Sequence, residues 1–290
     1  MPPGARCDGD YGPSTETGSL GDPALVESSG IVASPVNPGI LWIHNDSGDS
    51  ARLYAVRTDG SAVARLVMDG IHAVDFEDLA AGPCPDRSGP CLWVADTGNV
   101  GRNRRDQAIY AVPEPDLRAA TGPLEVHASA VWKFPVTFPG AAVDVEALAL
   151  SPSLDALYLF EKVERGSARV FRTLAPFTRD QPVVMEVVAE INSPGFPIRH
   201  GRMITGASLH PSGDRLLLRV YTGIYEYRLG PGQSMDDLGA ITPRQVTLGP
   251  LSEQQGEAVA YDAAGTGVWS VSEDRRQQPG QPLHHYDCAR

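Results

Sequence analysis

The chain has 290 residues, 42% of them hydrophobic, with 30 Gly, 25 Pro and a formal net charge of −12. So many turn-forming residues, beside enough apolar content for a core, exclude a helical bundle and call for many short elements joined by turns. The acidic balance excludes a general binder of nucleic acid or anionic membranes, because the field of the whole molecule repels both, and no apolar run approaches the roughly 20 residues that span a bilayer.

In chain order, the first residues, Met1-Pro-Pro-Gly-Ala-Arg-Cys7, lack the charged and apolar regions of a signal peptide and read as a mature start. A repeat then begins. Ser29-Gly-Ile-Val-Ala-Ser-Pro leads through a turn to Leu41-Trp-Ile-His-Asn-Asp46, followed by Arg52-Leu-Tyr-Ala-Val and Val63-Ala-Arg-Leu-Val, both alternating with the period of a strand. The second copy runs Glu77-Asp-Leu-Ala-Ala-Gly-Pro, Leu92-Trp-Val-Ala-Asp96, Ala108-Ile-Tyr-Ala-Val and Val131-Trp-Lys-Phe-Pro-Val. Within it Cys84 and Cys91 bracket a turn-rich segment short enough to close as a disulfide. The third runs Glu146-Ala-Leu-Ala-Leu-Ser-Pro, Leu157-Tyr-Leu-Phe-Glu161, Ala168-Arg-Val-Phe-Arg and Val183-Val-Met-Glu-Val-Val. The fourth runs Thr205-Gly-Ala-Ser-Leu-His-Pro, Leu216-Leu-Leu-Arg219, Gly223-Ile-Tyr-Glu-Tyr and Gln245-Val-Thr-Leu. The fifth has Glu257-Ala-Val-Ala-Tyr-Asp, Val268-Trp-Ser-Val-Ser-Glu273 and Leu283-His-His-Tyr, then runs out of chain.

Four-stranded antiparallel units repeated five times predict an all-β fold, a five-bladed β-propeller forming one domain over residues 1–290, since one blade alone cannot bury both faces of its sheet. A strand from the N-terminal segment 1–26 is expected to complete the last blade, which would also bring Cys7 to Cys288. Two disulfides predict an oxidising location: secreted, periplasmic or cell-surface. A monomer is expected.

The first strand of each propeller blade lines the central channel, so aligning the copies puts Ser29, Glu77, Glu146, Thr205 and Glu257 at one level. Converging carboxylates repel one another, whereas a hard divalent cation accepts just such oxygen ligands. The absence of His or Cys from the five positions favours Ca2+ over zinc. The alternative is a water-filled polar channel with the Glu side chains on backbone amides. A second ring is expected from the ends of the second strands, where Asn45, Asp46, Asp96, Glu161, Lys162 and Glu273 approach the channel mouth; of these Asp46, Asp96, Glu161 and Lys162 are the candidate catalytic residues. Arg102, Arg104, Arg105, Arg165, Arg219, Arg275 and Arg276 would supply positive charge nearby. The seven His show no repeated metal spacing, and GxSxG, P-loop and HExxH motifs are absent.

The order Ser, Glu, Glu, Thr, Glu, with its longest step between the second and third positions, resembles the soluble calcium-activated nucleotidase (apyrase) family. That resemblance implies a five-bladed propeller with Ser29, Glu77, Glu146, Thr205 and Glu257 as calcium ligands, Thr205 standing for a Ser. It departs at the substrate turn, where Asn45-Asp46-Ser47-Gly48-Asp49 keeps only Asp46, and at two basic positions, taken here by Asn99-Val100 and a residue near Tyr221; Lys162 is similar to a third. Asp144-Val-Glu-Ala-Leu-Ala-Leu-Ser-Pro also resembles the blade motif of secreted phytase-like and esterase-like propellers. Three functions follow as expectations: a calcium-dependent hydrolase of phosphate anhydrides or esters; a non-catalytic, calcium-stabilised propeller binding a glycan or protein; or a lactonase or sugar hydrolase with paired carboxylates. The partner is a small-molecule substrate or such a ligand at the channel mouth, and nucleic acid is not expected.

Overall fold

Strand-length alternation separated by Gly- and Pro-rich turns produces five sheets, and the computed structural model, which describes residues 7–247, 253, 255–274 and 276–289, arranges them as a propeller. From the axis outwards, blade one consists of Ser28–Ala33, Ile40–Asn45, Arg52–Arg57 and Ala62–Val67. Blade two consists of Phe76–Pro83, Pro90–Asp96, Ala108–Pro113 and Trp132–Thr137, and blade three of Val145–Leu150, Ala156–Glu161, Ala168–Leu174 and Glu186–Ile191. Blade four is Ile204–Leu209, Arg215–Val220, Gly223–Arg228 and Arg244–Thr247. Blade five is Gln255–Tyr261, Gly267–Glu273 and Pro282–Asp287, completed on its outer edge by the N-terminal strand Thr15–Ser19. The ring thus closes with a strand from each end of the chain, and the Cys7–Cys288 disulfide joins those ends. Cys84–Cys91 bridges its short turn.

Two outer edges differ from the four-stranded expectation. Leu124–His127 adds to blade one and Val183–Val184 to blade two, each in parallel. The expected fourth strand of blade three, Val183 to Val188, is therefore divided: its beginning pairs with blade two, and Glu186–Ile191 takes the blade-three edge. Val183 and Met185 point into the core between these blades while Val184 faces solvent, so apolar burial sets where the segment crosses.

Five hydrophobic clusters fill the five gaps between consecutive blades, with Trp42 and Phe76 between one and two, Trp93 and Phe171 between two and three, and Phe160 and Tyr227 between three and four. Tyr54 and Val271 pack across the closure between five and one. Between four and five the cluster is smaller, and polar groups share the space: Arg219 pairs there with Glu253, both side chains 1% exposed.

The innermost strands leave a backbone edge facing the axis, and buried edge groups must find partners. They approach so closely that a Cβ at Gly206 would lie 2.7 Å from the Glu257 carbonyl oxygen, and one at Gly30 would lie 2.7 Å from Leu79 N. Small residues dominate these strands for that reason. Below the ring, Asp78 Oδ2 accepts from Leu148 N at 2.8 Å and Ala207 N at 3.0 Å, tying blade two to blades three and four, while Oδ1 accepts from its own neighbour Leu79 N. Burial raises the Asp78 carboxyl well above its usual range despite these three amides. An Asp78→Ala variant strands two inter-blade amides at about 1–3 kcal/mol each, so equilibrium denaturation should show a loss of about 3 kcal/mol; a loss within experimental error would refute this tie.

Candidate functional site at the channel mouth

Each innermost strand carries one residue more than its partner strand, and the extra residue falls at the ring position in every blade. Phe76 faces Asp96 and Asp78 faces Ala95, so Glu77 is unpaired; the same slip occurs at Glu146, Thr205 and Glu257, and Ser29 and Gly30 together face His44. Such β-bulges bend a strand and re-aim a side chain. The five ring residues are all buried, but they divide by chemistry. Ser29 Oγ donates to the Glu77 carbonyl at 2.7 Å and Thr205 Oγ1 to the Gly256 carbonyl at 2.8 Å, so both hydroxyls satisfy the backbone edge of the neighbouring blade. The three carboxylates gather charge.

That charge is concentrated by Asp46 at the end of the second strand of blade one and by Asp75, just before the inner strand of blade two. One carboxylate oxygen each of Asp46, Asp75 and Glu77 lies within 4.8 Å of the others. Gly98 forms the floor, where a Cβ would stand 1.8 Å from Glu77 Oε1 and 2.3 Å from Asp75 Oδ2. Burial, then repulsion from Asp75 and Glu146, pushes the Asp46 carboxyl up to about 8. Burial likewise raises Asp75, and burial with repulsion from Glu146 and Asp46 raises Glu77 well above its usual value. Glu146 and Glu257 also reach about 8 through burial, with Lys162 pulling both down. Asp75 was not among the expected site residues. Its signal was a polar residue two positions before the ring on the same strand face, visible as Asp75-Phe-Glu77, Asp144-Val-Glu146 and Gln255-Gly-Glu257.

The remaining second-ring residues separate. Lys162 turns inward, its Nζ on Glu146 Oε2; burial opposes its charge, but Glu146 and Glu257 outweigh that and hold it protonated. Its ammonium lies 5.3 Å from the Tyr221 ring centroid, and burial followed by Glu257 raises the Tyr221 hydroxyl. Gln255 Nε2 donates to Glu257 Oε1 at 2.8 Å and also to Glu273. Asp96 instead accepts from Val74 N and Asp75 N and pairs with Arg104 at 2.8 Å, which fixes the segment presenting Asp75. Glu161 is bound by Arg169 at 2.7 Å and Arg102 at 3.2 Å, and against the effect of burial Arg169 lowers its carboxyl. Asn45 caps blade one, its Oδ1 accepting from Val26 N and Glu27 N. Thus Asp46 and Lys162 face the channel, while Asp96 and Glu161 are occupied by guanidinium groups. Arg219 is buried between blades, Arg105 and Arg276 are exposed, Arg165 lines a groove beyond Lys162, and Arg275 lies outside the described residues.

No protein-family model and no curated protein matches this chain. Among solved structures it is similar to a glucose dehydrogenase, at 12% identity over 94% of this chain and 99% of that one, with a TM-score of 0.53. It is also similar to a gluconolactonase from Xanthomonas campestris, at 15% identity over 100% and 99% of the two chains with a TM-score of 0.46, and to Kuenenia stuttgartiensis hydrazine synthase, at 11% over 84% and 68% with a TM-score of 0.41. Identities this low speak to the fold, through the first of these, and leave the chemistry to the site itself. Among the described residues no helix is long and apolar enough to cross a membrane.

Proposed function

We propose that the protein is a calcium-binding propeller that hydrolyses an ester or anhydride, phosphate esters and anhydrides first among them, at the carboxylate mouth of its channel. The observation that carries this reading is the convergence of Asp46, Asp75 and Glu77 within 4.8 Å. Oxygens bound to one calcium at about 2.4 Å can lie up to about 4.8 Å apart. The donor set is all oxygen, and the Gly98 floor leaves the carboxylates space that a side chain would fill. Asp46, Asp75 and Glu77 would hold the ion, with Glu146 beside them; calcium bound there would supply a Lewis acid that stabilises negative charge on the reacting group.

The protein's own groups have distinct roles. Asp46 is half-buried at the mouth and, having two carboxylate oxygens, can offer one to an ion and the other to a proton of the attacking water. Lys162 neutralises Glu146 rather than reaching outward, so three ring carboxylates can share the channel with one fixed cation. Asp96 and Arg104 position Asp75 through its backbone. Asp46→Asn is expected to weaken calcium binding at least tenfold in titration calorimetry and to remove hydrolysis of a phosphoester and anhydride panel. Chelator should do the same to the parent protein; hydrolysis that survives both would overturn the proposal. Acid release from a lactone assayed alongside that panel would change the bond class and keep the ion. The inter-blade hydrogen bonds of Ser29 and Thr205 favour a second reading, in which calcium only ties the blades together. There, chelation lowers the melting temperature with no hydrolysis to lose.

A further inference from the structure

We infer that the groove between the loops of blades three and four is an anion subsite that seats a negatively charged group of the substrate beside the carboxylate mouth; this rests on the hydrolase reading above. The groove has a volume of about 780 Å3, and its walls include Arg165, Arg199, Arg202 and Ser193. Three arginines in one groove are a local reversal of sign in a chain of net charge −12. Their charge is scarcely neutralised within the protein. Arg199 lies 3.8 Å from Glu164, a loose pair between exposed side chains. Arg202 donates its Nε to the Gly195 carbonyl at 3.0 Å, which orients the guanidinium and leaves both Nη groups for a ligand. Among the described residues no carboxylate pairs with Arg165 or Arg202.

Ser193 supplies an independent sign of a ligand. It is only 6% exposed, it lies on the groove wall, and its Oγ has no hydrogen-bond partner among the described residues. A buried hydroxyl left so costs about 1–3 kcal/mol, a penalty that rotation of the side chain toward an oxyanion in the groove removes. The loop that carries Arg199 and Arg202 is held in place: Thr222 Oγ1 donates to the Gly201 carbonyl at 2.6 Å and accepts from Phe196 N at 3.2 Å, pinning the 195–202 loop to blade four.

The groove also leads to the mouth. A second cavity of about 270 Å3 shares Ile198 and Arg199 with it and extends to Tyr221 and Gln255. Tyr221 lies against Lys162, and Gln255 holds Glu257, so a ligand seated on the arginines can extend along this path to the ring. Electrostatics requires such a counterweight. A cluster with more carboxylates than cations repels an anionic substrate, and charge-assisted donors at the entrance offset that repulsion while reading the planar oxygens of phosphate or carboxylate.

The test uses the full chain without divalent cation, titrated at low ionic strength with inorganic phosphate and, in a parallel arm, citrate; the tighter anion identifies phosphate or carboxylate as the group preferred. Arg199→Ala/Arg202→Ala is expected to weaken binding at least tenfold and Ser193→Ala several-fold. Glu164→Gln, which removes the carboxylate beside Arg199, should tighten it, and Asp46→Asn should leave it within twofold. Thermal melts of the surface variants check that the fold is intact. Equal anion binding by the parent and the double Arg variant, or none by either, overturns the subsite. Arg-dependent anion binding in a protein that hydrolyses nothing overturns the hydrolase reading and keeps the subsite.

Discussion

A Cys7→Ser/Cys288→Ser variant is expected to lose about 5 kcal/mol of unfolding stability under oxidising conditions. The two cysteines are separated by 281 residues, and in the chain-entropy view a loop beyond 100 residues already restrains the unfolded state by roughly 5 kcal/mol. The folded side adds to this. Blade five receives its outer strand, Thr15–Ser19, from the far end of the chain, and the clamp holds that strand on Pro282–Asp287. Neighbouring contacts reinforce the clamp, since Arg215 bonds the Cys7 carbonyl and Asp8, and Arg228 donates to the carbonyl oxygens of Cys7, Asp8 and Gly9. If the strand leaves, Leu20 and Leu25 lose their places in the cluster that joins blade five to blade one. The other bridge provides the control. Cys84 and Cys91 are 7 residues apart, so Cys84→Ser/Cys91→Ser should cost only about 2 kcal/mol. Urea denaturation of both variants checks the ranking, and a Cys84/Cys91 variant as unstable as the Cys7/Cys288 variant would refute the closure argument.

Repetition made this architecture legible. Five copies of a small-residue strand followed by a hydrophobic strand ending in polar residues fixed the number of blades, and the shortfall after Tyr286 required a strand from the N-terminus, which the structure supplies. Inward placement was also readable, because the common alignment of the channel-lining first strands put Glu77, Glu146 and Glu257 at one level, although the bulge that aims each of them was not. What could not be read was which polar neighbours share that space. Asp96 and Glu161 stand in register with Asn45, one residue before Asp46, and Arg104 and Arg169, located in a neighbouring turn and on the adjacent strand, claim them. Asp46 has no such partner and meets Asp75 instead. Lys162 follows Glu161 immediately, but the strand ends there and the side chain turns to Glu146. The parallel additions of Leu124–His127 and Val183–Val184 carry little periodicity of their own and depend on an edge contributed by another blade. Local pattern therefore specified the blades, while charge pairing within each blade and the approach of Asp46 to Asp75 between blades one and two specified the site.

That distribution of charge leads to the second large effect, a stability that falls as pH rises. In the unfolded chain Asp and Glu ionise at about 4, whereas Asp46, Glu146 and Glu257 hold their protons to about 8 in the cation-free fold. Between those values the folded state binds more protons than the unfolded one, so each step upward in pH favours unfolding. The sign is opposite for Asp49, held down by Arg52 against burial, and for Glu161, held down by Arg169 against burial. Their contribution is complete above about 4 and disappears only at lower pH, leaving the interval up to about 8 to the cluster. Lys162, raised by Glu146 and Glu257 against the effect of burial, loses its stabilising proton only at alkaline pH above that interval. Because the carboxyls repel one another they titrate as a set rather than one by one. Ionising a raised carboxyl costs the fold about 1.4 kcal/mol for every tenfold weakening of its acidity; a total loss of about 3 kcal/mol would lower the melting temperature by roughly 5–10 °C in a protein of this size. Calcium should reverse this. An ion that binds the carboxylates in the folded state displaces their protons, so its affinity rises over the same interval and the melting temperature becomes nearly independent of pH. Glu77→Gln should flatten the cation-free profile and remove most of the calcium response together. Melting curves from about pH 5 to about pH 8, with calcium and with chelator, measure both; a cation-free profile that rises with pH, or a calcium shift equal at both ends, would contradict the charge balance described here.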